Sequence, residues 1–248
     1  MLPPTSTHPW AASLRRSRHL LSEFRYEQPD PARFYTAVAE DSVGQLSQYA
    51  DLRGRVILDV GGGPGFFRNA FETAGATYYA LDADVGELSG LGGIPAGTVV
   101  GSALALPFRD DTVDVCYSSN VLEHVPEPWR MADEMLRVTR PGGVAFLSYT
   151  VWFGPWGGHE TAPWHYLGGR LARRRYRRKH GHEPKNRYGE SLFGVTVAAG
   201  LRWVHTQQAG DVIAVVPRYN PWWTYWMLRV PVLREVVTWN LVLVLRKR

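Results

Sequence analysis

The stretch Val56-Ile-Leu-Asp-Val-Gly-Gly-Gly-Pro-Gly-Phe-Phe67 constrains this chain more than any other. Val56 to Leu58 and Val60 form a short apolar run with β-branched bias, which predicts a buried strand. Glycines follow at 61, 62, 63 and 65. Phe66, Phe67, Ala70, Phe71 and Ala74 then recur at helical spacing. The order is therefore strand, glycine-rich turn, helix. Such a turn lets a ligand approach bare backbone, and it aims the first amides of the helix at that ligand.

The glycine spacing narrows the ligand. A dinucleotide site calls for G-x-G-x-x-G. Here the spacing is G-x-G-x-G through Gly61, Gly63 and Gly65, with Phe66 where the last glycine would stand, and Asp59 inside the strand end. This resembles motif I of the class I methyltransferases that use S-adenosyl-L-methionine (SAM). More of the chain is similar to that family, in one order from about 55 to 150. Tyr78-Tyr-Ala-Leu-Asp82 reads as a second strand ending in an acid. Gly101 to Val125 looks like the stretch around the fourth strand. Met135 to Ser148 is similar to the family's helix, Pro-Gly-Gly turn and fifth strand. As a whole, the chain resembles uncharacterised methyltransferases of actinobacteria.

The resemblance implies an α/β fold: a doubly wound, Rossmann-like sheet of seven strands whose last strand is antiparallel, with an N-terminal helical lid and an inserted loop after strand five. It implies SAM as cofactor and S-adenosyl-L-homocysteine (SAH) as product. Ligands of such sheets bind beyond the carboxyl ends of the strands. That gathers Asp59, Gly61, Gly62, Gly63, Gly65, Phe66, Asp82, Ala83, Ser102, Ala103, Leu104, Ser119, Asn120 and His124 as cofactor-binding candidates. The Asp82 carboxylate suits the two ribose hydroxyls. One departure weakens adenine recognition. The family commonly has an acid after strand three, and here Gly101 is followed by Ser102.

The 248 residues read as a single domain. Its parts are N-terminal helices over 10–53, the SAM-binding half over 54–151, an insertion over 152–190, and a C-terminal helix with strands over 191–248. Leu14, Leu20, Leu21 and Phe24 predict a first helix, and Pro31 to Tyr49 a second capped by Asp30, with Phe34 and Tyr35 as lid candidates. Ser191 predicts the cap of a C-terminal helix, with Gly200 as its stop, a strand at Leu201 to Val204 and a last strand over 238–246. Pro3, Pro4, Pro9 and Arg15, Arg16 and Arg18 precede no long apolar run, so no signal peptide is expected. The apolar stretch Pro221 to Leu245 holds Arg229, Pro231, Arg234 and Glu235, which argues against a spanning helix. A lone Cys116 excludes an internal disulfide and suits a reducing cytoplasm.

Methyl transfer to a hydroxyl usually needs a base, and histidine suits that near neutral pH. His159, His124 and His165 are the catalytic candidates, in that order. His159 ranks first because Gly157-Gly-His-Glu160 predicts a flexible, exposed place beside a carboxylate. Relatives with a Glu-x-x-Glu-His cluster that holds a divalent metal differ here, where Asn120 replaces the first glutamate; Glu123 and His124 remain and His159 could add a ligand, but no metal site is expected. Ser118-Ser-Asn-Val121 lacks the Asn/Asp-Pro-Pro-aromatic motif of DNA and amine methyltransferases.

Two segments point to the acceptor. Residues 170–179 hold seven of the Arg and Lys residues of a chain whose net charge is +5. The aromatic stretches are Trp152, Phe153, Trp156, Trp164 and Tyr166, then Trp222, Trp223, Tyr225 and Trp226. Together they favour a small, lipid-linked or glycan-type acceptor methylated at oxygen, with peripheral contact to an anionic membrane. An RNA methyltransferase using the basic run, and a SAM-binding protein without turnover, are the alternatives.

Overall fold

The computed structural model describes residues 11–27, 29–88 and 95–248; Pro3, Pro4 and Pro9 lie outside them. Seven strands form one sheet in the order β3-β2-β1-β4-β5-β7-β6. They are β1 (Val56–Val60), β2 (Thr77–Asp82), β3 (Thr98–Val100), β4 (Val113–Ser119), β5 (Thr139–Thr150), β6 (Gly210–Pro217) and β7 (Asn240–Lys247). β1 to β5 pair in parallel, and β7 runs antiparallel to both β5 and β6.

The central strands are covered on both faces, which is why they read as continuous apolar runs. On one face lie α5 (Pro128–Val138) and α7 (Val197–Thr206), through Met131, Met135, Leu136, Trp203 and Val204. On the other lie α2 (Pro31–Leu46) and α3 (Arg68–Thr73), through Phe34, Val38, Leu46 and Phe71. α1 (Leu14–Glu23) is capped by Ser13, and α2 by Asp30, whose carboxylate accepts from the Arg33 amide. A short α4 (Val85–Leu88) follows β2.

The C-terminal segment differs from its expected form. Its helix starts at Val197, capped by Thr196, and the Glu235 carboxylate accepts from both Val197 and Ala198 amides at 2.8 Å. Ser191 instead accepts from the Arg187 amide. Gly200 does not stop the helix. A Cβ there would lie 2.2 Å from the Tyr149 hydroxyl, so the glycine serves close packing in mid-helix. Leu201 to Val204 is the second half of that helix, and the strand it was expected to form lies further on, as β6. The insertion is only half loop. His159–Thr161 and Trp164–Leu167 form 3-10 turns, and the basic run is α6 (Gly169–His180), which packs on both. No helix among the described residues is long and apolar enough to cross a membrane.

Candidate active site at the carboxyl ends of the strands

β1 ends in the glycine turn, and the turn is moored to β2. The amides of Gly61 and Gly62 donate to the Leu81 carbonyl at 2.7 and 3.3 Å. The Gly63 amide donates to Asp82 at 3.0 Å. Gly61, Gly63 and Gly65 all have positive φ. At Gly61 a Cβ would also meet the Val121 side chain at 2.3 Å. The turn is therefore pressed against the segment after β4, and only glycine fits there. At Gly63 the space where a Cβ would stand is open, which is the cradle a ligand needs.

Asp82 sits half-buried at the end of β2. One oxygen accepts from Gly63, the other from the Asp84 amide at 2.9 Å. A carboxylate has about four acceptor positions, so roughly two remain for a diol. Ala83 is exposed beside it. The Gly101 amide donates to the Asp82 carbonyl, and this brings Ser102, Ala103 and Leu104 to the same edge. The Ser102 hydroxyl accepts from the Leu104 amide.

Asp59 occupies a different place from the glycines. It is buried behind the turn, with the Tyr78 hydroxyl donating to it at 2.6 Å. Burial pushes its carboxyl up to about 7; the Tyr78 bond pulls the other way and the Asp82 charge adds to the rise. Asp59 thus supports the turn from below. Phe66 faces the opposite side and stacks on Tyr35 of α2, centroids 5.1 Å apart and rings 11° from parallel. Tyr35 packs edge-on against Phe34, which is buried against Phe24. The helix α2 consequently lies over the glycine turn.

The other end of the crevice begins where β4 stops. Asn120 has a positive φ, its amide donates to the Ser148 carbonyl, and its side-chain oxygen accepts from Asn240 at 2.6 Å. The turn that follows presents Glu123 and His124. Glu123 is buried: one oxygen accepts from the Thr150 amide at 2.9 Å, and the other has no hydrogen-bond partner. His124 Nδ1 lies 2.7 Å from the Ser191 carbonyl. A carbonyl only accepts, so Nδ1 is the donor in that contact, and in the neutral ring Nε2 would hold the lone pair.

His159 lies against His124, ring centroids 5.1 Å apart and nearly perpendicular. Ligand atoms of Glu123, His124 and His159 all fall within 4.8 Å of one another. His159 is thus neither exposed nor beside Glu160, as its glycine-rich setting suggested. Its backbone turns at φ +46, and Glu160 reaches Asn186 instead. Burial, then the neighbouring His124, lowers its pKa to about 4, which keeps it neutral. His165 is fully buried, with Nε2 at 3.2 Å from the Gly154 carbonyl and its ring against Trp152. A Cβ at Gly158 would strike it at 2.5 Å. It packs the insertion and does not open on the crevice.

One residue that sequence reasoning missed dominates this end. Arg218, just past β6, is fully buried. It donates to Ser119 at 2.7 Å, Ser148 at 2.9 Å and Ser42 of α2, while its Nε has no partner. Its acceptors are hydroxyls rather than a carboxylate. Asp41, whose charge reaches it, is already bound by both oxygens to Arg16. Nothing in an arginine flanked by Pro217 and Tyr219 signals burial; long charged side chains are ordinarily exposed.

Comparison with known proteins bears on the family and the fold. A family model described as a methyltransferase domain matches residues 58–147. An uncharacterised methyltransferase of Mycobacterium marinum is 55% identical over 247 residues, covering 96% of each chain. A SAM-dependent methyltransferase from Mesorhizobium loti has the same fold, with TM-score 0.57, 19% identity, and coverage of 86% of this chain and 98% of that one. One from Aquifex aeolicus gives TM-score 0.51 at 15% identity, covering 92% and 98%.

Proposed function

The chain belongs to the family of SAM-dependent methyltransferases, and from that premise we propose that it methylates a hydroxyl oxygen with His124 as the general base. The glycine turn, Asp82 and the Ser102–Leu104 loop fit SAM: an open cradle at Gly63, spare acceptor positions on Asp82, and Tyr35 above Phe66 as cover. When bound, SAM would supply an electrophilic methyl group, taken in line by the attacking oxygen as the carbon–sulfur bond breaks and SAH leaves.

The observation that carries the reading is the 2.7 Å contact of His124 Nδ1 with the Ser191 carbonyl; with Nδ1 donating there, Nε2 of the neutral ring would accept, beside His159. The proton of the acceptor hydroxyl passes to His124 Nε2 as the oxygen takes the methyl group, and leaves to solvent after release. The oxygen–carbon bond would form as the carbon–sulfur and oxygen–hydrogen bonds break, and the positive charge lost from sulfur would reappear as the proton on His124, so charge balances. His159 is held neutral, chiefly by burial. Glu123 keeps one unpartnered oxygen near both rings. Tyr35 of α2 lies against Phe66, and His159 of the insertion against His124, so both elements border the site and would limit the entry of water. The acceptor class we favour is a small, lipid-linked or glycan hydroxyl.

The test offers methyl-labelled SAM with pools of hydroxylated lipids, glycolipids, phenols and RNA. Label is expected in an ether of one of the first three pools. His124→Gln should lower that incorporation by about 10²–10⁴-fold while SAM affinity changes little. Label in RNA, or on nitrogen, sinks the proposal. So does full activity in the variant.

A further inference from the structure

We propose that the outward face of α6 docks this protein on the surface of an anionic phospholipid bilayer. The inference does not rest on the choice of base.

α6 carries Arg170, Arg173, Arg174, Arg175, Arg177, Arg178 and Lys179. The structure sorts these charges. Arg173 is paired with Glu183 and Glu190 at 2.8 and 2.6 Å, and Arg177 with Glu183 at 3.3 Å. Arg175 lies over the Trp164 ring, 3.8 Å from its centroid. Gly169 and Ala172 are the buried residues of the helix. At about 100° per residue, the direction opposite that buried side is occupied by Arg170, Arg174 and Arg178, four residues apart. Among the described residues none of these three has an acidic partner. The acids of this region are thus spent on the flank, and the outer stripe is left purely cationic.

Charge alone would suit nucleic acid as well as lipid. The neighbours decide between them. Leu171 shares the outer side and is 53% exposed, and Leu167, one turn before the helix, is 64% exposed. Trp164 and Tyr166 are also exposed. Aliphatic side chains gain nothing from a phosphate backbone, but they do gain from entering the headgroup layer, where Trp and Tyr are favoured too. A cationic stripe flanked by exposed leucines and amphipathic aromatics is complementary to an anionic bilayer surface. The attraction is local. Subtracting the seven charges of 170–179 from the net +5 leaves −2 for the remainder (5 − 7 = −2), so the rest of the chain is repelled by such a surface. That orients the molecule. The same insertion carries His159 into the candidate site, so docking through α6 would bring the crevice toward the lipid.

The experiment is co-sedimentation of the full chain with vesicles of phosphatidylcholine, with and without phosphatidylglycerol, at low and high salt. Binding is expected only to the anionic vesicles and should fall with salt. Arg170→Gln/Arg174→Gln/Arg178→Gln should weaken it roughly a hundredfold, at about one kcal/mol per charge. Leu167→Ser/Leu171→Ser should weaken it several-fold with the salt dependence kept. A charge-matched control, Arg53→Gln/Arg109→Gln/Arg202→Gln, should change it little. Equal binding to neutral vesicles, no binding to either, or an equal loss in the control variant would overturn the proposal. Binding of tRNA in place of vesicles would overturn it in favour of a nucleic-acid surface.

Discussion

The floor of the candidate site draws on described residues between 59 and 104; the wall opposite draws on Ser42, Ser119, Glu123, His124, Ser148, His159, Ser191 and Arg218. The floor is held by backbone amides, and its few side chains point where strand ends must put them. The wall is held by long-range side-chain bonds, among them Arg218 to Ser42 across 176 positions. One half can accept a fixed ligand on a fixed backbone. The other can vary its acceptor without disturbing the first, but its polar groups stabilise the fold as well as the site.

Substitutions on the two sides should therefore fail differently. The largest effect is expected at Arg218. Arg218→Ala removes the charge-assisted bonds to the Ser42, Ser119, Ser148 and Tyr117 hydroxyls and leaves a cavity, less the relief of unburying a charge, so it should cost about 3–5 kcal/mol of stability. Arg218→Met keeps the volume and should cost less. Urea unfolding checks both, and SAM affinity of the folded fraction should be near that of the natural chain. A stable Arg218→Ala protein with lost SAM affinity would break the comparison.

Asp82→Ala is the mirror case. It removes the diol acceptor, so SAM affinity should fall by roughly 2–4 kcal/mol, about 30- to 1000-fold. Stability of the ligand-free protein should change by less than that. Calorimetric titration with SAM and SAH reads the first, urea unfolding the second. Unchanged affinity would remove Asp82 from the cofactor site.

The smallest effect is a pH dependence. His159 is held neutral down to about 4, against an ordinary value of 6.5. Below 6.5 the unfolded chain takes up a proton that the native chain refuses. Its contribution therefore lowers stability as pH falls from 6.5 to 4, by up to about 3 kcal/mol, and is constant above 6.5. Asp59 acts with the opposite sign. Its carboxyl, raised to about 7, costs stability as pH rises from the ordinary carboxylate range toward 7. The two partly cancel in the natural chain. The difference between natural chain and His159→Gln isolates the first, and it should shrink across pH 6.5 to 4. A flat difference would mean that His159 is solvated.

The same division explains what the sequence disclosed. Strand, glycine turn and acid are adjacent in the chain, and sterics at Gly61 tie the pattern to one geometry. Those features announce both fold and cofactor. The wall has no such local grammar. His124 and His159 meet because the insertion folds back through a left-handed residue, which a glycine-rich loop does not reveal. His165 was a reasonable candidate by type, and only packing shows it buried. Gly200 misled for a related reason. A glycine is read as a helix end, but here it makes room for Tyr149, a residue in a strand some fifty positions earlier. The strand expected at Leu201 to Val204 was a by-product of that misreading. An apolar pair such as Trp203-Val204 fits either structure until the helix is known to continue.

The position of β7 has a consequence for how the chain reaches this state. β7 is the last strand in sequence, yet it lies between β5 and β6 and is hydrogen-bonded on both sides. Asn240 to Leu245 are all buried. As the chain emerges during synthesis, β5 and β6 are made without the strand that joins them. Each presents an open edge, and such edges invite pairing with other chains. The sheet closes by insertion of β7 into a waiting gap, a non-local step that is slow by nature. Nascent forms that end before residue 240 should therefore be the ones that need a chaperone, while the cofactor floor, complete by residue 104, has already been made.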